Sequence, residues 1–238
     1  MSMLIMGASH GLTKEQVEPF FDSLGDSGFD GDVGLISNDL QIRGTTNLVP
    51  YEDIEYFRSS NRLFLYQEYM QKCGRRYDTV MLTGVRDVIF QSNPEEIRPK
   101  YVNLYREDDH MTIGACPYNS LWIHNTYGKA GLGKVGSKFI ICAEIVIATW
   151  DGMVNFLRDM TEHATKQRNK HVLEDQAMLN YLFHTDQLPY AQAVHNEVAD
   201  VYTVGYCKNI TVSKHKIVNQ NGMVPAVVHQ YDRHINLL

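Results

Sequence analysis

The chain has 238 residues, 44% of them hydrophobic and 11% aromatic, enough for one compact α/β domain with a large core. Lys and Arg number 22 against 28 Asp and Glu, a formal charge of −6, which argues against a surface built to coat nucleic acid or anionic lipid; a phosphate-bearing partner must meet a local site. No apolar run approaches the length of about eighteen residues that a membrane span needs, and the opening from Met1 to Gly11 lacks a basic n-region, so the expectation is a cytoplasmic protein without membrane insertion.

The apolar run Met3 to Met6 stops at Gly7-Ala8-Ser9, and Thr13-Lys14-Glu15-Gln16 then has the spacing of a capping box, which reads as strand, loop, helix. The helix is expected to run to about Leu24, burying Val17, Phe20, Phe21 and Leu24, before Gly28-Phe29-Asp30-Gly31 turns the chain into a second strand, Val33 to Ile36. A polar loop from Ser37 to Asn47 leads to a helix from about Ser60 to Lys72. A third strand, Thr79 to Thr83, follows and ends at Gly84-Val85-Arg86-Asp87. In an open parallel sheet that carboxyl edge is where ligands bind.

After a stretch read as long and irregular, with Pro117, Asn119 and several glycines, Lys138 to Thr149 is a strongly apolar strand. Asp151 to His163 is a helix burying Met153, Phe156, Leu157 and Met160. Leu173 to Phe183 is another, whose Glu174-Asp175 start faces its own N-terminal dipole favourably. Extended segments then dominate, Val201 to Tyr206 and Lys216 to His229, with Asn221-Gly222 signalling an antiparallel hairpin. The expected architecture is a single α/β domain over residues 1–238, a Rossmann-like mixed sheet flanked by helices with its parallel part first. Residues 1–100 would form a nucleotide-binding half and 101–238 an acceptor-binding half.

Gly131-Leu132-Gly133-Lys134-Val135-Gly136 matches G-x-G-x-x-G literally, but a dinucleotide fingerprint needs a strand before it and a helix after it. Here a turn-like segment precedes and a strand follows, so the reading is a flexible loop, a candidate lid. Walker A and H-E-x-x-H patterns are missing from the sequence, and Cys73, Cys116, Cys142 and Cys207 form no C-x-x-C pair, which leaves them as reduced thiols.

What remains is a constellation: Asp87 at a strand end, Glu174-Asp175-Gln176, and Val228 through His234. A strand-end carboxylate with a late His suits a hard divalent cation held against a diphosphate. Taken singly, Asp87 reads as a turn cap, Asp175 as a helix cap and His229 as a core histidine.

Taken together, the segments Met6 to Thr13, Ser27 to Val33, Arg62 to Tyr66, Val85 to Gln91, Ile113 to Ser120 and Val228 to His234 resemble the GT-A fold nucleotide-sugar glycosyltransferases. The likeness is to the small soluble kind found in algal large DNA viruses and in some algae and microbes, and it covers nearly the whole chain. The resemblance implies a nucleotide-diphosphate sugar donor, UDP-linked, whose hexose or deoxyhexose passes to a glycan acceptor with Mn²⁺ or Mg²⁺ assisting. It implies that Gly7, Ala8 and Ser9 line the nucleotide, that Asn38 lies near base or ribose, that Arg62 and Arg86 reach the donor, and that Asp87 and His229 ligate the metal. For the acceptor base the candidate is Asp175, with Glu174 and Asp151 as alternates. The reading leans to inversion, with retention left open because Asp175-Gln176-Ala177-Met178-Leu179-Asn180 also resembles a retaining-type segment.

The chain departs from the family pattern at Gly84, where the family has the first carboxylate of Asp-x-x-Asp, and at Ala143-Glu144, where relatives have Ser-Gly. The first departure opens an alternative, a catalytically weakened protein of the same fold that binds sugar nucleotide or glycan. Gly84→Asp is then expected to raise turnover. Glu144 reads either as a new carboxylate in the site or as an outward solvated charge, and Tyr118 and Trp122 either as a sugar-stacking pair or as core aromatics.

Overall fold

The computed structural model describes residues 2–9, 11–37, 45–47, 61–167, 173–198 and 200–237. The opening is β-α-β: β1 (Met3–Ala8), α1 (Lys14–Asp26) and β2 (Asp32–Ile36), followed by a short β3 (Thr45–Asn47) within the segment read from sequence as loop. The Gln16 side chain caps the start of α1 by accepting from the Thr13 N–H at 2.9 Å. Then come α2 (Asn61–Lys72), β4 (Thr79–Gly84), β5 (Val88–Phe90), β6 (Val102–Thr112), α3 (Pro117–Val135), β7 (Phe139–Thr149), α4 (Trp150–Lys166) and α5 (Asp175–His184). The chain continues through β8 (Ala191–Val194), β9 (Val201–Thr203), β10 (Thr211–Ser213), β11 (Lys216–Val218) and β12 (Val227–His229), and a 3₁₀ segment Tyr231–Leu237 follows.

A seven-stranded mixed sheet has the order β3-β2-β1-β4-β7-β6-β8. Strands β3, β2, β1 and β4 run parallel, and β7 is antiparallel to both of its neighbours. Strands from both sides of residue 100 therefore share one sheet. Alternate residues face opposite sides, as the two-residue strand period requires. Leu4, Met6, Val80, Leu82, Val146 and Ala148 pack under α2, α4 and α5, whereas Met3, Ile5, Met81, Ile145 and Ile147 pack toward α1 and β5. Both faces are covered, which explains why these strands read as continuous apolar runs.

The strand order reverses direction at β1, which lies between β2 and β4, and a crevice opens at such a reversal beyond the carboxyl ends of the strands. Parallel register sets Ala8 beside Gly84 at that edge. A second, three-stranded sheet of order β5-β12-β9 is fixed there by antiparallel pairing of His229 with Val88 and parallel pairing of His229 with Thr203.

Three expectations are corrected. The stretch read as irregular holds β6 and α3, and the glycine pattern at 131–136 begins inside α3, so the loop and lid reading falls. The glycine signal had a real source: Gly128 breaks α3 at φ 67°, a left-handed conformation that glycine adopts without a Cβ penalty. The antiparallel hairpin is β10-β11, turning through Lys214 and His215 at φ 49° and 62°, the positive pair of a tight two-residue turn. Asn221-Gly222 turns the chain between β11 and β12, which do not pair with each other.

Candidate functional site

A cleft of about 970 Å³ opens at the carboxyl edge of β1 and β4, lined by Ala8, Gly84, Arg86 and Asp87 from the parallel half and by Glu107, Glu144, Glu174 and Asp175 from the other. Its shape depends on a large bulge in β7. The pairs Leu104↔Val146 and Arg106↔Ile141 leave Tyr105 alone on β6 opposite Cys142, Ala143, Glu144 and Ile145 on β7. Bulges bend a strand and re-aim its side chains. Helix α5 satisfies the displaced backbone: Gln176 Oε1 accepts from the Ala143 N–H at 3.1 Å, Asn180 Oδ1 accepts from the Ile141 N–H at 2.8 Å, and Asn180 Nδ2 donates to the Ile141 carbonyl at 2.8 Å.

Register decides where Glu144 goes. The β4-β7 pairing runs from Thr79↔Thr149 to Leu82↔Val146, and two residues further the same register sets Gly84 opposite Glu144. A Cβ on Gly84 would lie 2.8 Å from Glu144 Oε2 and 3.1 Å from Asp87 Oδ1. The space that a side chain at position 84 would take is thus shared by two carboxylates, and the outward reading of Glu144 is corrected.

Arg62, in the first turn of α2, is 7% exposed and ties Glu144 to α5. Its Nη1 donates to Glu144 Oε2 at 2.8 Å, its Nε to Asp175 Oδ2 at 2.9 Å, and its Nη2 lies 2.6 Å from the same Asp175 oxygen. Burial opposes the guanidinium charge, but Asp175 and Glu144 outweigh it and hold the Arg62 pKa well above its ordinary value. Arg62 reaches the cleft as expected, with its charge already met by protein carboxylates.

Asp87 and His229 come together. His229 is fully buried, its Nε2 lies 3.4 Å from Asp87 Oδ2, and its Nδ1 faces Thr203 Oγ1 at 3.3 Å and Cys142 Sγ at 3.6 Å. The Gln230 N–H donates to the Asp87 carbonyl at 2.7 Å, so backbone pairing fixes the meeting. Burial disfavours charge on Asp87, yet the hydrogen bond and charge of His229, with Arg233 adding to them, keep its pKa below the usual carboxylate range. His229 is raised well above the usual histidine value, because the Cys142 and Asp87 interactions outweigh its burial.

The pair fits a divalent cation. Nε2 of His229 is a buried nitrogen without an aligned hydrogen-bond partner, facing a carboxylate oxygen at a separation that two ligands of one ion can share. No group of three or more metal-capable side chains occurs among the described residues. Two protein ligands, with a diphosphate and water completing the shell, is a usual arrangement for Mg²⁺-type sites.

Among the remaining expected residues, Ala8, Arg86 and Glu174 line the cleft, and Arg86 lies 3.7 Å from Asp232. Gly7 approaches Val85 so closely that a Cβ would meet its Cγ1 at 2.4 Å, and Ser9 is buried, its N–H donating to the Ile36 carbonyl. Both shape the strand end beneath the cleft. Asp151 stands apart, exposed at the start of α4 and paired with Arg76 at 2.5 Å. Asn38 lies outside the described residues. Tyr118 and Trp122 both line the cleft with ring centroids 6.2 Å apart; Tyr118 is 67% exposed, while Trp122 also packs on a small cluster around Ile123.

The sequence reading missed Glu107, Asn119, Tyr206 and Gln230 as cleft residues. Glu107 hid in the charged run Arg106-Glu107-Asp108-Asp109, which reads as solvated. Its one signal was the strand period, which sets it on the same face as buried Tyr105.

No known family model matches the chain, and comparison with curated proteins finds no match. No helix among the described residues is long and apolar enough to cross a membrane.

Proposed function

We propose that the protein is a nucleotide-sugar glycosyltransferase of the GT-A type, moving a hexose or deoxyhexose from a UDP-type donor to a glycan hydroxyl. The observation that carries the reading is the Asp87–His229 pair, in which the fully buried His229 backs an Asp87 that lines a large cleft at the point where the strand order reverses. That is the arrangement a diphosphate needs: a fixed site for a cation, with Arg86 and Arg233 on the same wall to meet its remaining charge. A bound Mn²⁺ or Mg²⁺ would supply Lewis-acid neutralisation of the departing diphosphate.

In this reading Asp87 and His229 hold the cation, and Arg62 holds Glu144 and Asp175 in place at the cleft floor. Asp175 is a poor acceptor base, because taking a proton would cost it the Arg62 pairing. We therefore move that role to Glu174 and keep Asp175 as a positioning residue. Tyr118 and Trp122 offer apolar faces for an acceptor ring at the cleft mouth.

The test is release of nucleoside diphosphate from UDP-, GDP- and TDP-sugars with Mn²⁺, with Mg²⁺ and with chelator. Metal-dependent release from one donor, lost in Asp87→Asn, is the expected result. A second reading, a sugar-nucleotide binding protein with little turnover, is favoured by one observation: the carboxylate nearest Gly84 is already bonded to Arg62. Nucleotide binding without release from any donor would select it. Absence of both would remove the whole proposal.

A further inference from the structure

Glu107 is a buried carboxyl group in the cleft that the transfer chemistry leaves unused. It is 5% exposed, it lines the cleft, and its Oε2 has no partner of good hydrogen-bond geometry, although the Gln176 and Asn119 side chains lie near enough to favour its charged form. Leaving a buried oxygen unsatisfied is expensive, and proteins keep such groups where something else completes them.

Its neighbours are held in place. Gln176 Nε2 donates to Asn119 Oδ1 at 3.0 Å, Gln176 Oε1 is fixed by the Ala143 N–H, and Asn119 Nδ2 donates to Cys116 Sγ at 3.3 Å. The wall around Glu107 is thus built before any ligand arrives, which is what geometric discrimination requires. Charge then selects the ligand. Arg233 acts on Glu107 with a positive charge that, together with a cation held at Asp87 and His229, disfavours a cationic ligand. Burial raises the Glu107 pKa, favouring a neutral acid that both donates and accepts. A neutral hydroxyl is the matching partner.

We propose that Glu107 is a specificity-determining residue whose free oxygen hydrogen-bonds a hydroxyl of the sugar carried on the nucleoside diphosphate. The assignment rests on the transferase reading, because it uses the diphosphate at Asp87 and His229 to bring the sugar to Glu107. In the apo protein the unsatisfied oxygen is a standing cost; a sugar hydroxyl removes it. Bare nucleotide leaves Glu107 untouched.

The experiment measures affinities of UDP, UDP-glucose, UDP-galactose and UDP-N-acetylglucosamine, with Mn²⁺, for the wild type, Glu107→Gln and Glu107→Ala. UDP should bind all three proteins within about twofold. The tightest UDP-sugar should lose roughly ten- to a hundredfold with Glu107→Ala, the range for one hydrogen bond involving a charged or strongly polar group, and less with Glu107→Gln, which keeps the shape and can still bond. A series of deoxy analogues of that sugar adds a readout that a structural role would not move. Deleting the recognised hydroxyl should weaken binding to the wild type and leave Glu107→Ala unchanged. If Glu107→Ala does not fold, Glu107→Gln with the deoxy series decides in its place. Equal UDP-sugar affinity in wild type and variants overturns the assignment, as does a sugar that adds nothing to UDP affinity in the wild type or a parallel loss of UDP binding. No UDP binding to the wild type removes the transferase reading, and the Glu107 role with it.

Discussion

Arg62 is a cation taken out of water and answered by two carboxylates on different elements. Breaking such a buried set by removing one member leaves unpaired charge, so Arg62→Met should destabilise the protein by about 3–5 kcal/mol in urea unfolding. Adding Asp175→Asn and Glu144→Gln should recover most of that loss, since the penalty lies in the stranded carboxylates. Glu107 should behave in the opposite way. Its folded pKa lies above the unfolded value, so its contribution to stability is fully present below about pH 4.5 and is lost as pH rises through the folded value. Glu107→Gln should therefore raise the melting temperature at pH 7 and flatten the decline between pH 4.5 and 7, and thermal melts across that range would show it. A melting temperature that falls at pH 7 would mean that the carboxyl group is satisfied in the apo protein.

At the scale of elements, the bulge in β7 decides what position 84 tolerates. Gly84→Asp, expected from the sequence to restore a missing carboxylate, adds a third negative group where Glu144 and Asp87 already converge. Alone it should leave diphosphate release unchanged or lower it. Combined with Glu144→Gly, which clears the facing position, it should raise release severalfold in the same assay. The opening β-α-β, α2, β4, β7, α4 and α5 were legible because the strands are short continuous apolar runs ended by turn residues and the helices carry capping signals or apolar residues at helical spacing. Residues 102–135 were not. In β6 the pattern is lost where Arg106 to Asp109 enter an irregular register, and α3 carries Gly128, Gly131 and Gly133, which lower helix propensity and mimic a loop. The hairpin was misplaced because an Asn-Gly pair signals a turn without saying which strands it joins. Asp87 and His229, which the structure brings within 3.4 Å, were singled out by residue type, order and the family resemblance. The Glu144–Gly84 approach needed the β4-β7 register, which no local pattern encodes.

At the scale of the molecule, the proposed cation site links two sheets, since Asp87 follows β4 and His229 ends β12. His229 must give up a proton to ligate a metal, and its folded pKa is raised, so Mn²⁺ affinity should climb with pH by up to about tenfold per unit until that value is passed. Without metal the signs run the other way. The His229 contribution to stability is full below pH 6.5 and lost as pH rises through its folded value, while the Asp87 contribution is full above pH 3.8 and lost as pH falls through its own. Titrating Mn²⁺ at pH 6, 7 and 8 tests the coupling, and a flat profile would exclude His229 as a ligand. The pairing of β12 with β5 also imposes a schedule on biosynthesis. A ribosome working at about 5–20 residues per second needs on the order of ten seconds to travel from Asp87 to His229. Throughout that interval the nascent chain can fold α1 against the strands already made, yet it carries Asp87 without His229. If the pair holds a cation as proposed, capture must wait until β12 has been made and paired with β5, so a growing chain would not grip a diphosphate before both sides of the cleft exist.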